Sequence, residues 1–106
     1  MPQAWDIHIA TLPLGHSHDR RPWLLVEQTE PGRWRVLPIS AAIDLFDAKL
    51  HFRLDPSHPD FPATGPKRAS FIIANWPVDV SESVLEKRLG CLNGQLVTDF
   101  LEWLDR

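Results

Sequence analysis

The segment RRPWLLV at residues 20–26, followed after a turn by WRVLPIS at residues 34–40, decides the fold of this chain. Pro22 has a fixed φ and lacks an N–H donor, so it suits the first residue of a strand rather than its middle. The apolar run that follows it indicates a strand buried on both faces. The residues between the two segments, Glu30-Pro31-Gly32, are typical of a hairpin turn. The sequence therefore predicts an antiparallel hairpin here.

Short strands and one terminal helix make up the rest of the predicted fold. Alternating or apolar runs predict strands over residues 4–12, 22–28, 33–39, 50–54 and 70–75. Residues 41–49 fit a short helix or an irregular crossing, and three prolines exclude regular structure from residues 55–62. A helix with a broad apolar face follows Asn93, which is a good N-cap residue. This pattern predicts a mostly-β, α+β fold: a single domain over residues 1–106, a small closed or half-open barrel with the helix packed on it.

The composition is that of a soluble globular protein, with 43% hydrophobic residues and a net charge of −3 at pH 7. That charge excludes nucleic-acid binding through bulk electrostatics and leaves only a local basic patch for it. No apolar run is long enough to span a bilayer, and the N-terminus lacks a secretory signal pattern, so we expect no membrane association. The single cysteine, Cys91, lies in an apolar stretch and is expected to be a buried thiol in a reducing cytoplasm.

Arg21 and Ser40 are the side chains most suited to chemistry. Antiparallel pairing through the predicted turn brings them to the same end of the hairpin, and a guanidinium beside a hydroxyl suits an anion such as phosphate. Alternatively, Arg21 is a surface arginine paired with Asp19 or Glu27. The Ser40 hydroxyl also fits an ST-turn or an N-cap for the segment that follows, and that role is compatible with binding an anion.

Histidines and tryptophans supply further candidates. His16 and His18 lie in the loop before the arginines, where an imidazole can transfer a proton near neutral pH. A His-x-His pair also allows a metal site, but no third ligand stands at a suitable spacing, so we expect neither a metal nor a cofactor. Trp34 and Trp76 are expected to be exposed and able to stack on nucleic-acid bases, whereas the other tryptophans fit the core.

The order of these segments resembles that of the MazF/PemK family of toxin endoribonucleases from bacterial toxin–antitoxin systems. The resemblance covers most of the chain. It depends on Arg20-Arg21-Pro22 with its strand, on residues 36–40, on residues 67–74 and on residues 85–92 before the final helix. The most specific pieces are the Arg-Arg-Pro step and the Arg-Leu-Gly step at residues 88–90.

The resemblance implies an SH3-like barrel with a terminal helix, usually in a homodimer. It also implies metal-independent, sequence-specific cleavage of single-stranded RNA to a cyclic phosphate, and inhibition by an antitoxin protein whose flexible tail covers the RNA groove. By position, the catalytic arginine of the family falls on Arg21 and its threonine or serine on Ser40. Proton transfer would fall to His16 or His18, and binding of the RNA backbone to Arg20, Arg35 and Lys67.

Two positions depart from the family pattern. In some members the strand matching residues 70–75 brings an arginine and an aspartate into the site, whereas this chain has Ile73 and Asn75. These residues favour, as an alternative, a degenerate barrel that only binds protein. A further alternative is a CcdB-like, gyrase-inhibiting toxin on the same fold. Such toxins act through a tryptophan-glycine-hydrophobic C-terminus, and residues 102–106 of this chain lack that glycine.

Overall fold

The predicted hairpin is confirmed by a computed structural model, which describes all residues 1–106. Its strands are β2 (Arg20–Glu30) and β3 (Arg33–Ser40), in antiparallel register with Trp23 opposite Pro38 and Leu24 opposite Leu37. The chain reverses through Gly32, which has a φ of +78° that glycine adopts without steric cost. Both strands are longer than the apolar pattern predicts, because pairing extends over their polar ends.

The remaining strands complete one curled antiparallel sheet, a half-barrel with one C-terminal helix. They are β1 (Asp6–Thr11), β4 (His51–Leu54), β5 (Ser70–Ile73), β6 (Val78–Ser81) and β7 (Arg88–Cys91), and the helix is α1 (Gly94–Leu104). The strand order is β4-β5-β3-β2-β1-β7, and β6 also pairs with β3. One edge of β3 is therefore divided: β6 lies beside its first half, and β5 beside Ile39 and Ser40 at its end.

Both faces of the central hairpin are buried, as the unbroken apolar run of β2 indicates. On one face, Leu24 and Leu37 pack into a core with Phe100 of α1. On the other face, Trp23 and Leu25 pack with Trp34. Because side chains alternate along a strand, Arg21 and Ser40 belong to the face of Trp23, just beyond the end of that second core.

Several elements differ from the sequence prediction. The strand predicted over residues 70–75 ends at Ile73, whereas the segment 41–49 is an irregular crossing with one 3₁₀ turn, Ile43–Leu45, which is one of its two predicted alternatives. The short strands β6 and β7 were not predicted, because their residues form strands only through pairing with β3 and β1. Trp34 is 5% exposed rather than exposed, since β6 pairs alongside it and Val80 packs in the same core. Cys91 is half-buried rather than buried.

The N-terminus of α1 is capped by a residue distant in sequence. Asn93 occupies the N-cap position, but its side chain makes no capping hydrogen bond. Instead, the Asp60 carboxylate accepts a hydrogen bond from the Gln95 N–H at 2.8 Å. The segment between residues 55 and 62 thereby ties the helix to the sheet.

No helix of the structure is both long and apolar enough to cross a membrane.

We expect Asp60→Ala to destabilise the fold by about 1 kcal/mol, because it leaves helical N–H groups without a carboxylate acceptor. Asn93→Ala is the matched control and should change the free energy of unfolding by much less. Urea denaturation of both variants measures the difference. Equal destabilisation by the two substitutions would contradict the assignment of the cap to Asp60.

Candidate functional site

The structure brings Arg21 and Ser40 to one groove at the end of the hairpin. Trp23 of β2 pairs with Pro38 of β3, so two residues further towards that end of the hairpin Arg21 lies opposite Ser40. Both side chains line a depression of about 500 Å³, which continues into a second one of about 220 Å³. Pro22, Ser40 and Arg68 line both depressions. We call the two together the Arg21–Ser40 groove.

The Arg21 guanidinium is held in place by the loop that precedes it. Its Nη2 donates a hydrogen bond to Ser17 Oγ at 3.0 Å and lies 3.5 Å from Asp19 Oδ2. The side chain is only 16% exposed, and its Nε is buried without a hydrogen-bond acceptor. The loop itself is pinned by backbone hydrogen bonds in both directions between Leu14 and Ser17. The guanidinium is thus pre-oriented, yet it uses only part of its donor capacity within the protein.

The ion pair predicted as an alternative for Arg21 is present, with Asp19 rather than with Glu27. The Asp19 side chain is 81% exposed, so water screens its charge and the pair contributes little stability. An anion that fits Arg21 better can therefore displace the carboxylate. The structural and the anion-binding interpretations of Arg21 are compatible.

The Ser40 hydroxyl also serves two roles. Its Oγ accepts a hydrogen bond from the Ala42 N–H at 3.1 Å, which is the ST-turn predicted as the alternative. That bond uses a lone pair of the oxygen and leaves the hydroxyl proton free to donate. Ser40 therefore offers one fixed O–H donor on the strand opposite Arg21.

Two further cations face the groove from the segment before β5. Lys67 lines the smaller depression, as predicted for binding of an RNA backbone. Arg68 lines both depressions, and its guanidinium makes neither an ion pair nor a hydrogen bond within the protein. Arg68 is not among the site residues that the sequence predicts. The proximity of Arg68 to Ser40 depends on the pairing of β3 with β5, which the sequence does not reveal. The only signal for Arg68 was its place in the segment 67–74, which resembles the family.

The remaining predicted site residues are either bonded to other parts of the protein or lie outside the groove. Arg20 lines the groove, but its Nε donates a hydrogen bond to Glu86 at 3.0 Å. Arg35 forms an ion pair with Glu27 and lies five residues along β3 from Ser40, about 16 Å away at the rise of a strand. His16 and His18 are exposed on either side of Ser17, and neither lines the groove nor makes a hydrogen bond.

Ile73 and Asn75, the departures from the family pattern, also lie outside the groove. Ile73 is half-buried opposite His51 of β4, and Asn75 is exposed in the turn after β5. The titratable side chains that line the groove are instead Arg20, Arg21, Lys67, Arg68 and Asp19. This excess of cations, with a hydroxyl donor between them, suits an anionic ligand that has more than one phosphate.

Comparison with known proteins shows where this fold occurs. No family model matches the chain, and no curated protein is significantly similar to it in sequence. Among solved structures, the toxin MazF-mt6 of Mycobacterium tuberculosis superposes with a TM-score of 0.68 at 19% identity, covering 93% of this chain and 91% of that one. An endoribonuclease in complex with its cognate antitoxin, from Mycobacterial species, has a TM-score of 0.64 at 14% identity, covering 97% and 88%. The chain thus has the fold of MazF toxins.

Proposed function

We propose that this protein is the toxin of a toxin–antitoxin pair and cleaves single-stranded RNA without a metal ion. The observation that supports this function is the pre-oriented, partly unused Arg21 guanidinium opposite the Ser40 hydroxyl, in a groove with more cations than acids. The fold is consistent with it, since the structures that superpose on the chain are a MazF toxin and an endoribonuclease.

The chemistry follows from the donors in the groove. The 2′-hydroxyl of a ribose attacks the adjacent phosphorus, the bond to the 5′-oxygen breaks, and a 2′,3′-cyclic phosphate and a 5′-hydroxyl result. Negative charge grows on the non-bridging oxygens as the new bond forms. Arg21 would donate N–H groups to that charge, and Ser40 would add its O–H, both without reorganising.

The loop before β2 is the proposed source of proton transfer. Asp19 is the one carboxylate that lines the groove, and it would accept the 2′-hydroxyl proton once the phosphate has displaced it from Arg21. His16 and His18, from the same loop, are the candidates to donate a proton to the leaving 5′-oxygen, although an exposed imidazole would have to move towards the groove to do so.

Lys67 and Arg68 are proposed to bind the RNA backbone, because both face the groove without an acidic partner. Arg20 would assist at the other end of the groove. Arg35 is already neutralised by Glu27 and would have to leave that ion pair to contribute.

We expect Arg68→Ala to weaken binding of single-stranded RNA several-fold. The slope of the logarithm of the binding constant against the logarithm of the salt concentration should become less steep by about 0.7, which is the effect of losing one phosphate contact. Lys87→Ala is the matched control, since Lys87 is an exposed cation outside the groove. Binding measured over a range of salt concentrations gives both slopes. A slope that falls equally in the two variants would assign the effect to net charge rather than to a contact of Arg68.

The proposed partners follow from the proposed toxin function. A cognate antitoxin with a flexible tail would cover the Arg21–Ser40 groove, and the toxin would act in the cytoplasm as a homodimer. Co-expression with the neighbouring reading frame, followed by copurification and sizing, tests the antitoxin and the dimer together.

The experiment that tests the function is induction of the gene in bacteria and analysis of the nucleic acids. RNA fragments that end in a cyclic phosphate, and an oligonucleotide that resists cleavage when the 2′-hydroxyl at the scissile nucleotide is removed, are expected. Gyrase-linked DNA breaks with intact RNA would favour the CcdB-like alternative. Growth arrest without either lesion would favour a barrel that only binds protein.

A further inference from the structure

The Arg21–Ser40 groove continues past Lys67 into a third depression of about 400 Å³. This depression, here called the proline pocket, is lined by Pro56, Phe61, Pro62, Gly65, Pro66 and Lys67. Pro66 and Lys67 also line the smaller depression beside Ser40, so the two spaces meet at these residues. The wall of the pocket includes three of the four prolines between β4 and β5.

Contacts within the protein hold the walls of the pocket in place. The Asp55 carboxylate accepts hydrogen bonds from both the N–H and the hydroxyl of Ser57, each at 2.9 Å, and these bonds lower the pKa of Asp55 below its ordinary value. Phe61 is 5% exposed and belongs to the main core. Gly65 lies so close to β7 that a Cβ on it would be 2.8 Å from the Leu89 Cβ. A pre-formed pocket avoids the entropy cost of ordering its walls on binding.

The chemistry of the pocket suits a flat, largely apolar group attached to an anion. Three prolines and the nearly buried Phe61 line the pocket, no acidic side chain lines it, and Lys67 lies at the edge shared with the groove. A nucleobase supplies a flat surface for the proline rings, and the phosphate attached to its ribose supplies the charge for Lys67. An apolar peptide would also fill the walls, but it would leave the Lys67 ammonium without a partner.

We propose that the proline pocket binds a nucleoside of the RNA strand next to the scissile phosphate and that it sets nucleotide preference at that position. This proposal rests on the proposed function. Its particular basis is that Ser40 pairs with Phe71 of β5, and Lys67 is only four positions before Phe71. The chain from Lys67 to Phe71 spans at most about 14 Å. An RNA strand whose phosphate lies at Ser40 therefore reaches the pocket with a neighbouring nucleotide.

The test uses the Pro56→Glu variant, which places a carboxylate on the exposed wall of the pocket. Pro31→Glu is the matched control, because Pro31 is an exposed proline in the hairpin turn at the opposite end of β2. The cleavage motif is first obtained by sequencing RNA ends produced by the unchanged protein. We expect Pro56→Glu to relax the preference at a single motif position and to raise KM roughly tenfold, the scale of one lost base-stacking contact, with a smaller change in kcat. Pro31→Glu should change neither.

A second measurement separates failure of the pocket from failure of the proposed function. Oligonucleotides that cannot be cleaved, because they lack 2′-hydroxyls, are lengthened one nucleotide at a time and their binding is measured by fluorescence anisotropy. One added nucleotide should strengthen binding to the unchanged protein, and Pro56→Glu should remove that gain. The proposed role of the pocket would be overturned, even if RNA is cleaved, by an equal gain in affinity in Pro56→Glu and in the unchanged protein. Loss of that gain in Pro31→Glu as well would overturn it too. Absence of RNA cleavage with the gain intact would overturn the nuclease function instead.

Discussion

Arg21→Ala is expected to lower kcat for RNA cleavage by about 10²–10³-fold, the usual cost of removing one pre-organised donor from a developing oxyanion. The effect falls on kcat because the negative charge on the phosphate oxygens grows in the transition state. Growth arrest on induction should disappear with the cleavage. Single-turnover kinetics on a labelled oligonucleotide measures the loss directly.

Two further substitutions make this result specific. Arg21→Lys should recover little activity, because an ammonium cannot present two parallel N–H groups to a phosphate or keep the same bond to Ser17 Oγ. Arg33→Ala is the matched control, since it removes an arginine from the same hairpin that is paired with Asp79 outside the groove. Circular dichroism of each variant establishes that the fold is intact. A folded Arg21→Ala protein with full activity would remove the proposed mechanism.

Gly90→Ala should destabilise the fold by about 3 kcal/mol, the upper range for overpacking, because the atoms in the way belong to the backbone. A Cβ on Gly90 would collide with the Ala63 carbonyl oxygen and lie 2.7 Å from the Thr64 carbonyl carbon. These residues form the 3₁₀ turn Pro62–Thr64, which packs on β7 and forms part of the wall of the proline pocket. We expect the melting temperature to fall by roughly 12–24 °C.

Gly32→Ala separates the collision from backbone strain. Gly32 has a φ of +78° and nothing within 4 Å of the position of a Cβ, so alanine there meets only the conformational penalty of about 1 kcal/mol. Gly90 is not in the left-handed region, so its substitution tests the collision alone. A Gly90→Ala protein as stable as the unchanged one would show that β7 does not pack closely on the 3₁₀ turn.

The hairpin and the placement of Arg21 opposite Ser40 could be predicted from the sequence because they depend on local rules. Pro31 and Gly32 specify the reversal, Pro22 marks the beginning of the apolar run, and antiparallel pairing then relates Arg21 to Ser40 by counting along the chain. The resemblance to the toxin family added the expected barrel with a terminal helix. The half-barrel fold of the structure confirms that expectation.

The rest of the candidate site could not be predicted because it depends on contacts between distant segments. Arg68 reaches the groove through the pairing of β3 with β5, and its own surroundings in sequence suggest only a solvated cation. The hydroxyl of Ser17 has no signal that distinguishes it from other loop serines until the bond to Arg21 is seen. Ile73 and Asn75, in contrast, matched the family strand by position but lie outside the groove: Ile73 pairs with His51 of β4, and β5 ends before Asn75.

By itself, then, the sequence determined the central hairpin, the burial of both faces of β2 and the meeting of a guanidinium with a hydroxyl at one end of the hairpin. Each of these follows from neighbouring residues, whose turn chemistry and alternation act over a few positions. The tertiary structure alone decided which further cations line the groove, that Trp34 is buried and which carboxylate caps the helix. Those outcomes depend on which segments pair and pack, since the free energy of a short strand or a cap comes from partners that are far away in the sequence.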